Sequence, residues 1–247
     1  MSNLFFFLIL CTLLTSGCSI QQSEIKDPYF NKNQQLYEQF VNTDESVWKP
    51  SSEFYSKTFD SSVHTTVNNF FTNLAQIKYG FNNFLQGKFI VATEQLARFV
   101  VNTIFGLFGI FDVASSIDLK SQPQDFGQTL ALWGYRKTNF LIVPILGPTT
   151  ERDALGYLFD FFFLSPLSYS NAAFATKSAL TFIDIVDTRR TNSDAIDFIY
   201  SSGIGEDSYS FFKSVWSRNR NTKINELISA AGIKINSQDD LYELLEQ

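Results

Sequence analysis

The sequence predicts a mainly α-helical, single-domain protein with few or no strands. Helix-start signals recur along the chain, and apolar residues repeat at helical spacing between them. The chain contains no Asn-Gly or Asp-Gly pair, the dipeptides that most favour short β-hairpins. Beyond residue 26 it also has no repeat, low-complexity block or Pro/Gly-rich linker at which it would divide. We therefore expect one helical domain over residues 27–247.

Composition excludes several classes of protein. The chain has 247 residues, of which 45% are apolar and 18% are charged, so it has the apolar mass of a folded protein and not the charge density of a disordered one. Its net charge of −6 argues against nucleic acid as a partner, because that binding needs a basic, phosphate-neutralising surface. The 27 phenylalanines are an unusual excess and indicate surface in contact with lipid or with another protein.

The N-terminus has the pattern of a targeting segment. Residues 4–14 are apolar except for one threonine, and the small residues 15–17 and then Cys18 follow. As a helix this run would reach about 16 Å, against about 30 Å for the hydrocarbon core of a bilayer, so it fits a signal-peptide core better than a spanning helix. Small residues before a cysteine resemble the lipobox of bacterial lipoproteins, which implies a signal peptide over residues 1–17. The alternative is an ordinary cleaved signal beside an unrelated cysteine.

Cys18 is the expected lipid-attachment residue, and residues 18–26 are the expected acylated N-terminus and polar tether. Cys11 leaves with the signal, so the mature chain keeps one cysteine and forms no internal disulfide. Burial of acyl chains contributes about 0.8 kcal/mol per CH₂, so two or three chains on Cys18 would anchor the protein firmly. The following Ser19 resembles the sorting pattern of enterobacterial outer-membrane lipoproteins.

Capping and stop signals place the helices. Residues 88–105 carry apolar side chains at helical spacing, and Gly106 ends that helix. Asp125 and Gln128 match a capping box that opens a helix ending at residues 133–134. Other predicted helices start at Asp27-Pro28 with Asp27 as the N-cap, at Thr150 with Asp153 (over Glu151–Phe163), at Ser165-Pro166 (to about Asp187), at Asp207, and over Ser237–Gln247. The helix from Asp207 is expected to have Arg218 and Arg220 near its C-terminus, where cations suit the helix dipole.

Two apolar stretches, Phe99–Val113 and Phe140–Gly147, stand out in the mature chain. Neither is long enough to cross a bilayer as one straight helix, since even the longer one reaches only about 22 Å. Two interpretations stay open for each stretch. It is either a core helix of a soluble fold or an interfacial helix inserted part-way into a leaflet.

The residues that most enzymes and metal sites require are scarce. His64 is the single histidine, it lies in a polar stretch, and no Gly-x-Ser-x-Gly motif occurs anywhere. One histidine and one acylated cysteine are too few for a metal site built from these ligands. No Gly-rich loop with a lysine is present to hold phosphate. We therefore expect a protein that is not an enzyme and that carries no metal or cofactor beyond its N-terminal lipid.

A series of short motifs occurs between Asn68 and Asp153. The motifs are Asn69-Phe70-Phe71-x-Asn73-Leu74, Asn83-x-Leu85-Gln86-Gly87-Lys88, Arg98-Phe99-x-x-Asn102-Thr103, Gly106-x-x-Gly109-x-Phe111-Asp112-Val113-Ala114, Asp125-Phe126-Gly127-Gln128-Thr129-Leu130 with Trp133-Gly134, and Pro144-x-Leu146-Gly147-Pro148 with Arg152-Asp153. In this order, residues 68–153 resemble the MlaA/VacJ family of outer-membrane lipoproteins. Weaker matches extend the resemblance over nearly all of the mature chain.

The resemblance implies a fold, a location and a function. The fold is a helical, ring-like assembly with amphipathic and part-inserted helices, lipid-anchored in the inner leaflet of the outer membrane with a periplasmic face. Such proteins remove mislocalised phospholipids from the outer leaflet and pass them through an amphipathic channel to a periplasmic carrier of the MlaC type, which maintains lipid asymmetry. A trimeric porin is the usual membrane partner. The alternative is a structural or adhesive porin-associated lipoprotein that transports no lipid.

Two sets of residues are candidates for this function. A channel needs polar groups for the lipid headgroup, and Asn102, Thr103, Gln128 and Thr129 lie among apolar residues as candidates for the lipid path. Their alternative roles are helix capping and hydrogen bonding between helices. Residues 211–234 are basic and residues 237–247 acidic, so this C-terminal part (residues 211–247) is expected to face the periplasm, with Arg218 and Arg220 as candidate carrier or headgroup contacts. A solvated basic face is the alternative.

Overall fold

The computed structural model describes residues 27–144, 146–202 and 208–233. Helices dominate these ranges, and two short strands pair into one hairpin. The prediction of a mainly α fold with few strands is confirmed. The signal peptide, Cys18, the tether and the helix predicted over Ser237–Gln247 lie outside the described residues, and these expectations stay predictions.

The helices are numbered here in chain order. They are α1 (Phe30–Thr43), α2 (Lys49–Thr58), α3 (Ser61–Leu85), α4 (Phe89–Ile104), α5 (Val113–Ser116), α6 (Phe126–Leu132), α7 (Glu151–Phe159), α8 (Pro166–Tyr169), α9 (Phe174–Thr191), α10 (Ser193–Ser202) and α11 (Ser208–Ala230). A π-helical turn at Asp44–Trp48 joins α1 to α2, and another at Asp160–Leu164 extends α7. The strands are β1 (Phe140–Val143) and β2 (Gly147–Thr150).

Three predicted helices lie where the sequence places them, one because of its apolar spacing and two because of local capping chemistry. Helix α4 ends at Ile104, two residues before Gly106, as its apolar spacing predicts. The capping box of α6 is formed in both directions between Asp125 and Gln128. The hydroxyl of Thr150 accepts the backbone N–H of Asp153 at 3.2 Å and so opens α7. The last residues of the predicted 151–163 helix belong to the π-helical turn.

The apolar stretch Phe140–Gly147 is a β-hairpin, so its expected helical structure, in the core or at an interface, is wrong. The strands β1 and β2 pair antiparallel, with Phe140 opposite Thr150 and Val143 opposite Gly147. Pro144 has no N–H and would break a helix at this point. Burial alternates along β1, where Phe140 and Ile142 are buried, as expected for a strand with one face on the core.

The helix predicted from Ser165 to about Asp187 is interrupted. Proline opens the short helix α8 as expected, but that helix ends at Tyr169 and α9 starts only at Phe174. The hydroxyl of Ser170 donates to the carbonyl of Leu167, one of the local bonds by which serine competes with helix continuation.

Two further expectations about helix ends are corrected. Asp27 is not the N-cap residue, because α1 begins at Phe30 and the Asp27 carboxylate accepts the N–H of Tyr29 at 3.0 Å. Helix α11 continues to Ala230, so Arg218 and Arg220 lie in its middle and not near its C-terminus. Asp207, the expected start of this helix, lies outside the described residues.

The largest apolar cluster is aromatic and joins α1, the hairpin and α11. Its buried members are Tyr37, Phe140, Ile142, Tyr209 and Phe212. Tyr37 and Phe212 have ring centroids 5.0 Å apart, a distance at which tilted aromatic pairs attract each other. A smaller cluster of Ala131, Ile224 and Ile228 holds α6 against α11. These contacts make α11 the element that fixes α1, the hairpin and α6 relative to one another.

Candidate functional site

Helices α3 and α4 form an antiparallel pair that buries polar side chains against the segments packed on it. Paired helices in water normally bury apolar side chains against each other. Here the two helices bury amides and a guanidinium that are each at most 4% exposed, namely Asn73, Gln76, Asn82, Asn83, Gln95, Arg98 and Asn102. Buried polar groups need partners, so these side chains require hydrogen bonds close by.

Many of these partners come from an extended strap, residues 118–124. Gln95 binds it twice, since its Nε2 donates to the carbonyl of Lys120 at 3.1 Å and its Oε1 accepts the N–H of Gln122 at 2.9 Å. Asn83 Nδ2 donates to the carbonyl of Gln122 at 3.2 Å, and Gln76 Nε2 donates to the Ser121 hydroxyl at 3.0 Å. Amides of both helices thus satisfy backbone groups that would otherwise need water.

The guanidinium of Arg98 holds the end of this strap and the segment after α4. Its Nη2 donates to both carboxylate oxygens of Asp112 at 3.0 Å, and its Nη1 donates to the carbonyl of Leu119. Asn102 Nδ2 also donates to Asp112, at 2.9 Å. Burial alone would raise the pKa of Asp112, but hydrogen bonds from Ser115, Asn102 and Arg98 outweigh it and the pKa is lowered. Asp112 is therefore held as a carboxylate.

The solvent-accessible side of the same helix pair is apolar. Large apolar side chains of the two helices with more than a third of their surface exposed are Val63, Phe81, Phe84, Phe89, Ile90, Leu96, Val100 and Ile104, and Phe105 follows directly after α4. Scattered exposed apolar residues are ordinary, but this many exposed apolar side chains along two neighbouring helices indicate an interaction surface. The pair therefore shows reversed polarity: helices in water bury their apolar side chains and expose their polar ones, whereas these two helices do the opposite.

A second polar centre ties α11 to α6 and α7. Arg220 donates to Asp125 through Nη1 and Nη2, both at 2.7 Å, and to Asp153 through Nε at 2.9 Å and Nη2 at 2.8 Å. Arg152 donates to Asp153 as well, at 3.0 and 3.1 Å. Burial would raise the pKa of both carboxyls, yet the Arg220 guanidinium holds each pKa below its usual value. Gly127 permits this packing, because a Cβ there would lie 2.3 Å from Asp153 Oδ1.

Asp160, at the start of the π-helical turn after α7, is a buried carboxyl without a close cation among the described residues. It accepts the N–H of Phe126 and the Nδ2 of Asn82, both at 3.1 Å. Burial raises the pKa of Asp160 to about 6, although Lys78 opposes this shift. This carboxyl therefore changes its protonation close to neutral pH.

The candidate lipid-path residues lie in these two polar regions. Asn102 accepts the N–H of Ala114 at 2.8 Å, and Thr103 accepts from Asn73 at 3.0 Å. Gln128 completes the capping box, and the Thr129 hydroxyl donates to Asn82 Oδ1 at 2.9 Å. All four side chains thus fulfil the alternative roles of capping and interhelical hydrogen bonding. Their part in a lipid path stays a prediction.

The two candidate arginines differ. The side chain of Arg218 is exposed, whereas that of Arg220 is 14% exposed and engaged by two carboxylates. Contact with the carrier stays a prediction for both arginines. Of the two, Arg218 has the side chain that a partner could reach.

Sequence reasoning missed the buried polar side of α3 and α4. Asn73, Gln76 and Asn83 follow each other at intervals of three and seven residues, which is the spacing of one helix face. This row of amides was the available signal.

The described ranges contain neither a grouped set of metal ligands nor a membrane-spanning helix. No three His, Cys, Asp or Glu residues within them are grouped as a metal ion would need. Over the same ranges, no helix combines the length and the hydrophobicity required to cross a bilayer. His64 lies in the first turn of α3 and packs on Tyr55, with ring centroids 4.7 Å apart.

Comparisons with known proteins give a consistent relationship. A protein-family model described as "MlaA lipoprotein" matches residues 25–223. A protein of Rickettsia prowazekii is 31% identical over 150 residues, which are 59% of this chain and 58% of that protein, so this chain matches little more than half of that relative's length. The intermembrane phospholipid transport system lipoprotein MlaA of Haemophilus influenzae is 24% identical over 88% of this chain and 89% of its own.

Two further similarities extend the comparison. The protein of the same name from Escherichia coli K12 is 30% identical over 63% of this chain and 65% of its own. A solved structure described as the structural basis for maintenance of bacterial outer membrane lipid asymmetry superposes with a TM-score of 0.66 at 22% identity. It covers 83% of this chain and 99% of that one. At this identity the superposition shows a shared helical fold.

Proposed function

This chain belongs to the family of MlaA lipoproteins, and from that membership we propose that it transports phospholipids at the outer membrane and so maintains lipid asymmetry. In this proposal it removes mislocalised phospholipids from the outer leaflet and passes them to a periplasmic carrier. The names of the Haemophilus and Escherichia relatives support a transport role, and no sequence feature favours an enzyme.

The observation that carries the proposal is the reversed polarity of α3 and α4. A protein that sits in a leaflet needs apolar side chains where it meets acyl chains, and its own partners for every polar group inside. The exposed row from Phe84 to Phe105 and the buried amides such as Gln95 meet both needs. Because the described helices are too short or too polar to span, the proposal places the protein within one leaflet and not across the bilayer.

The remaining parts of the proposal concern anchoring and partners. Acyl chains on Cys18 would hold the protein in the inner leaflet of the outer membrane, with a trimeric porin as its neighbour there. The four candidate lipid-path residues would meet the headgroup on a ring-like, part-inserted scaffold. Arg218 is the proposed carrier contact, because its exposed cation is available to an acidic partner.

The decisive experiment measures phospholipid in the outer leaflet of cells that lack this protein. We expect a rise that a plasmid copy of the wild type reverses. No rise in the deletion strain would overturn the transport proposal and favour the structural or adhesive porin-associated lipoprotein. A Cys18→Ala copy separates the anchor from the conduit, since full restoration by it would refute only the acylation.

The carrier contact has its own test in lipid transfer to the purified periplasmic carrier. We expect Arg218→Glu to slow transfer, because it reverses an exposed charge on α11. Lys57→Glu is the matched control, since Lys57 is an exposed cation on α2. Equal transfer by both variants would refute a contact at Arg218.

A further inference from the structure

The turn that follows α4, residues 106–111, has an unusual backbone. Leu107 and Phe108 adopt positive φ angles of 51° and 60°, a conformation that residues other than glycine rarely take. Gly109 has a φ of +92°, and a Cβ at this position would lie 2.5 Å from the Cβ of Asn73. The turn is thus pressed against the polar face of α3 at Gly109, and this contact leaves Leu107 and Phe108 on the outside.

Hydrogen bonds within the protein satisfy much of this backbone. The N–H groups of Phe108, Gly109, Ile110 and Phe111 donate to the carbonyls of Thr103, Asn102, Leu107 and Gly106, at 2.9–3.3 Å. Asn69 Nδ2 donates to the carbonyl of Ile110 at 3.2 Å. Internally paired backbone is the condition for irregular structure to stand in a hydrocarbon layer, where no water replaces a missing partner.

The side chains of the turn are apolar and exposed. Phe105, Leu107 and Phe108 are 70%, 58% and 72% exposed, and they continue the exposed row of α4 at Val100 and Ile104. No ionisable residue occurs from Phe99 to Phe111. The exposed side chains of the turn are therefore all apolar and uncharged. Such a surface suits acyl chains, which make no hydrogen bonds, better than a protein partner that is recognised by charges and hydrogen bonds.

We propose that this turn, residues 106–111, is a wedge that inserts among the acyl chains of a phospholipid leaflet, with Leu107 and Phe108 at its deepest point. The wedge holds these two side chains away from α3 by the contact of Gly109 with Asn73. It reaches further into the leaflet than the neighbouring face of α4. This inference rests on the membrane location in the proposed function and not on lipid transport.

The test uses the full-length protein with vesicles of phosphatidylcholine and phosphatidylglycerol brominated at defined chain positions. Phe108→Trp adds one reporter to the wild-type tryptophans, and the wild-type emission is subtracted. We expect the emission of the Phe108→Trp reporter to shift to the blue. We also expect bromines deep in the acyl chains to quench it at least about threefold more strongly than shallow ones, because quenching requires contact between the bromine and the indole ring. The control is Phe54→Trp, because Phe54 is equally exposed but lies beside the charged pair Glu53 and Lys57.

A charge in the wedge supplies a second, independent readout. In a Cys18→Ala background, where no acyl chain holds the protein on the vesicle, Leu107→Asp is expected to lower binding to the same vesicles by at least about tenfold, since a carboxylate resists transfer into hydrocarbon. Unchanged binding, or equal quenching of the Phe108→Trp and Phe54→Trp reporters, would overturn the wedge. A blue shift of the Phe108→Trp emission that occurs only after a porin is added would also overturn the wedge. It would indicate that the turn contacts a protein. Failure of lipid transport with intact quenching would refute the proposed function and leave the wedge.

Discussion

Replacing Arg220 by alanine is expected to loosen the whole arrangement of α11 against α6 and α7. The guanidinium makes four hydrogen bonds of 2.7–2.9 Å to the carboxylates of Asp125 and Asp153. Its removal leaves Asp153 with one remaining arginine, Arg152. Among the described residues, the Asp125 carboxylate then keeps only the backbone N–H of Gln128, which it accepts as the cap of α6. Both carboxyls have lowered pKa values and are charged at neutral pH, so each loses a favourable partner.

The size of the loss in free energy of unfolding follows from how deeply the two carboxylates are buried. Breaking a buried ion pair by deleting one partner costs about 3–5 kcal/mol, because the other charge stays buried without compensation. Asp153 is 9% exposed, which places it in that range, whereas Asp125 is 33% exposed and recovers part of its solvation from water. We therefore expect a loss near the lower limit, about 3 kcal/mol. For a chain of this size that corresponds to a melting temperature lower by about 6–12 °C.

The assay is urea and thermal unfolding of the detergent-solubilised protein, followed by circular dichroism. Arg218→Ala is the matched control, since it removes the same side chain from the same helix at an exposed position, and a change within about 0.5 kcal/mol is expected. Arg220→Lys keeps the charge but loses the bidentate geometry of the guanidinium. Its loss in free energy of unfolding should therefore fall between those of Arg220→Ala and Arg218→Ala. Equal stability of Arg220→Ala and Arg218→Ala would refute the structural role assigned to this ion pair.

Three further predictions follow from single contacts. Gly127→Ala places a Cβ 2.3 Å from Asp153 Oδ1 and is expected to lower the free energy of unfolding by about 2 kcal/mol; a wild-type value would contradict the close packing. The folded-state pKa of Asp160 is raised to about 6, so wild-type stability should fall as the pH rises from about 4 to 6, by at most about 3 kcal/mol. Asp160→Asn should lack this fall, and a pH profile like that of the wild type would exclude Asp160 as its source. Gln95→Leu removes two bonds to the strap and should speed tryptic cleavage after Lys120 roughly tenfold. The control for cleavage is Glu94→Gln on the same helix, and equal rates would show that Gln95 does not hold the strap.

Features that depend on neighbours in sequence could be predicted without the structure. The capping box of Asp125 and Gln128 and the Thr150 cap of α7 each involve residues three apart, so the pattern itself contains the interaction. The family resemblance likewise depended on ordered short motifs. The hairpin at Phe140–Gly147 was not predicted, because a short apolar run with a proline fits a strand as well as a helix segment.

Interactions between residues distant in sequence were decided only by the tertiary structure. Arg220 meets Asp125 and Asp153 across 95 and 67 residues, and neither the helix end that the sequence predicted nor its basic surroundings indicates those partners. The buried polar side of α3 and α4 is another case, because hydropathy alone shows polar and apolar faces but not which of them the rest of the protein covers. Helices in water normally bury their apolar faces, whereas here polar faces are buried because the strap and α6 supply hydrogen-bond partners for them. The sequence by itself determined the family and the positions of α4, α6 and α7. The tertiary structure decided which face is buried, because that choice depends on the surroundings in which the chain packs.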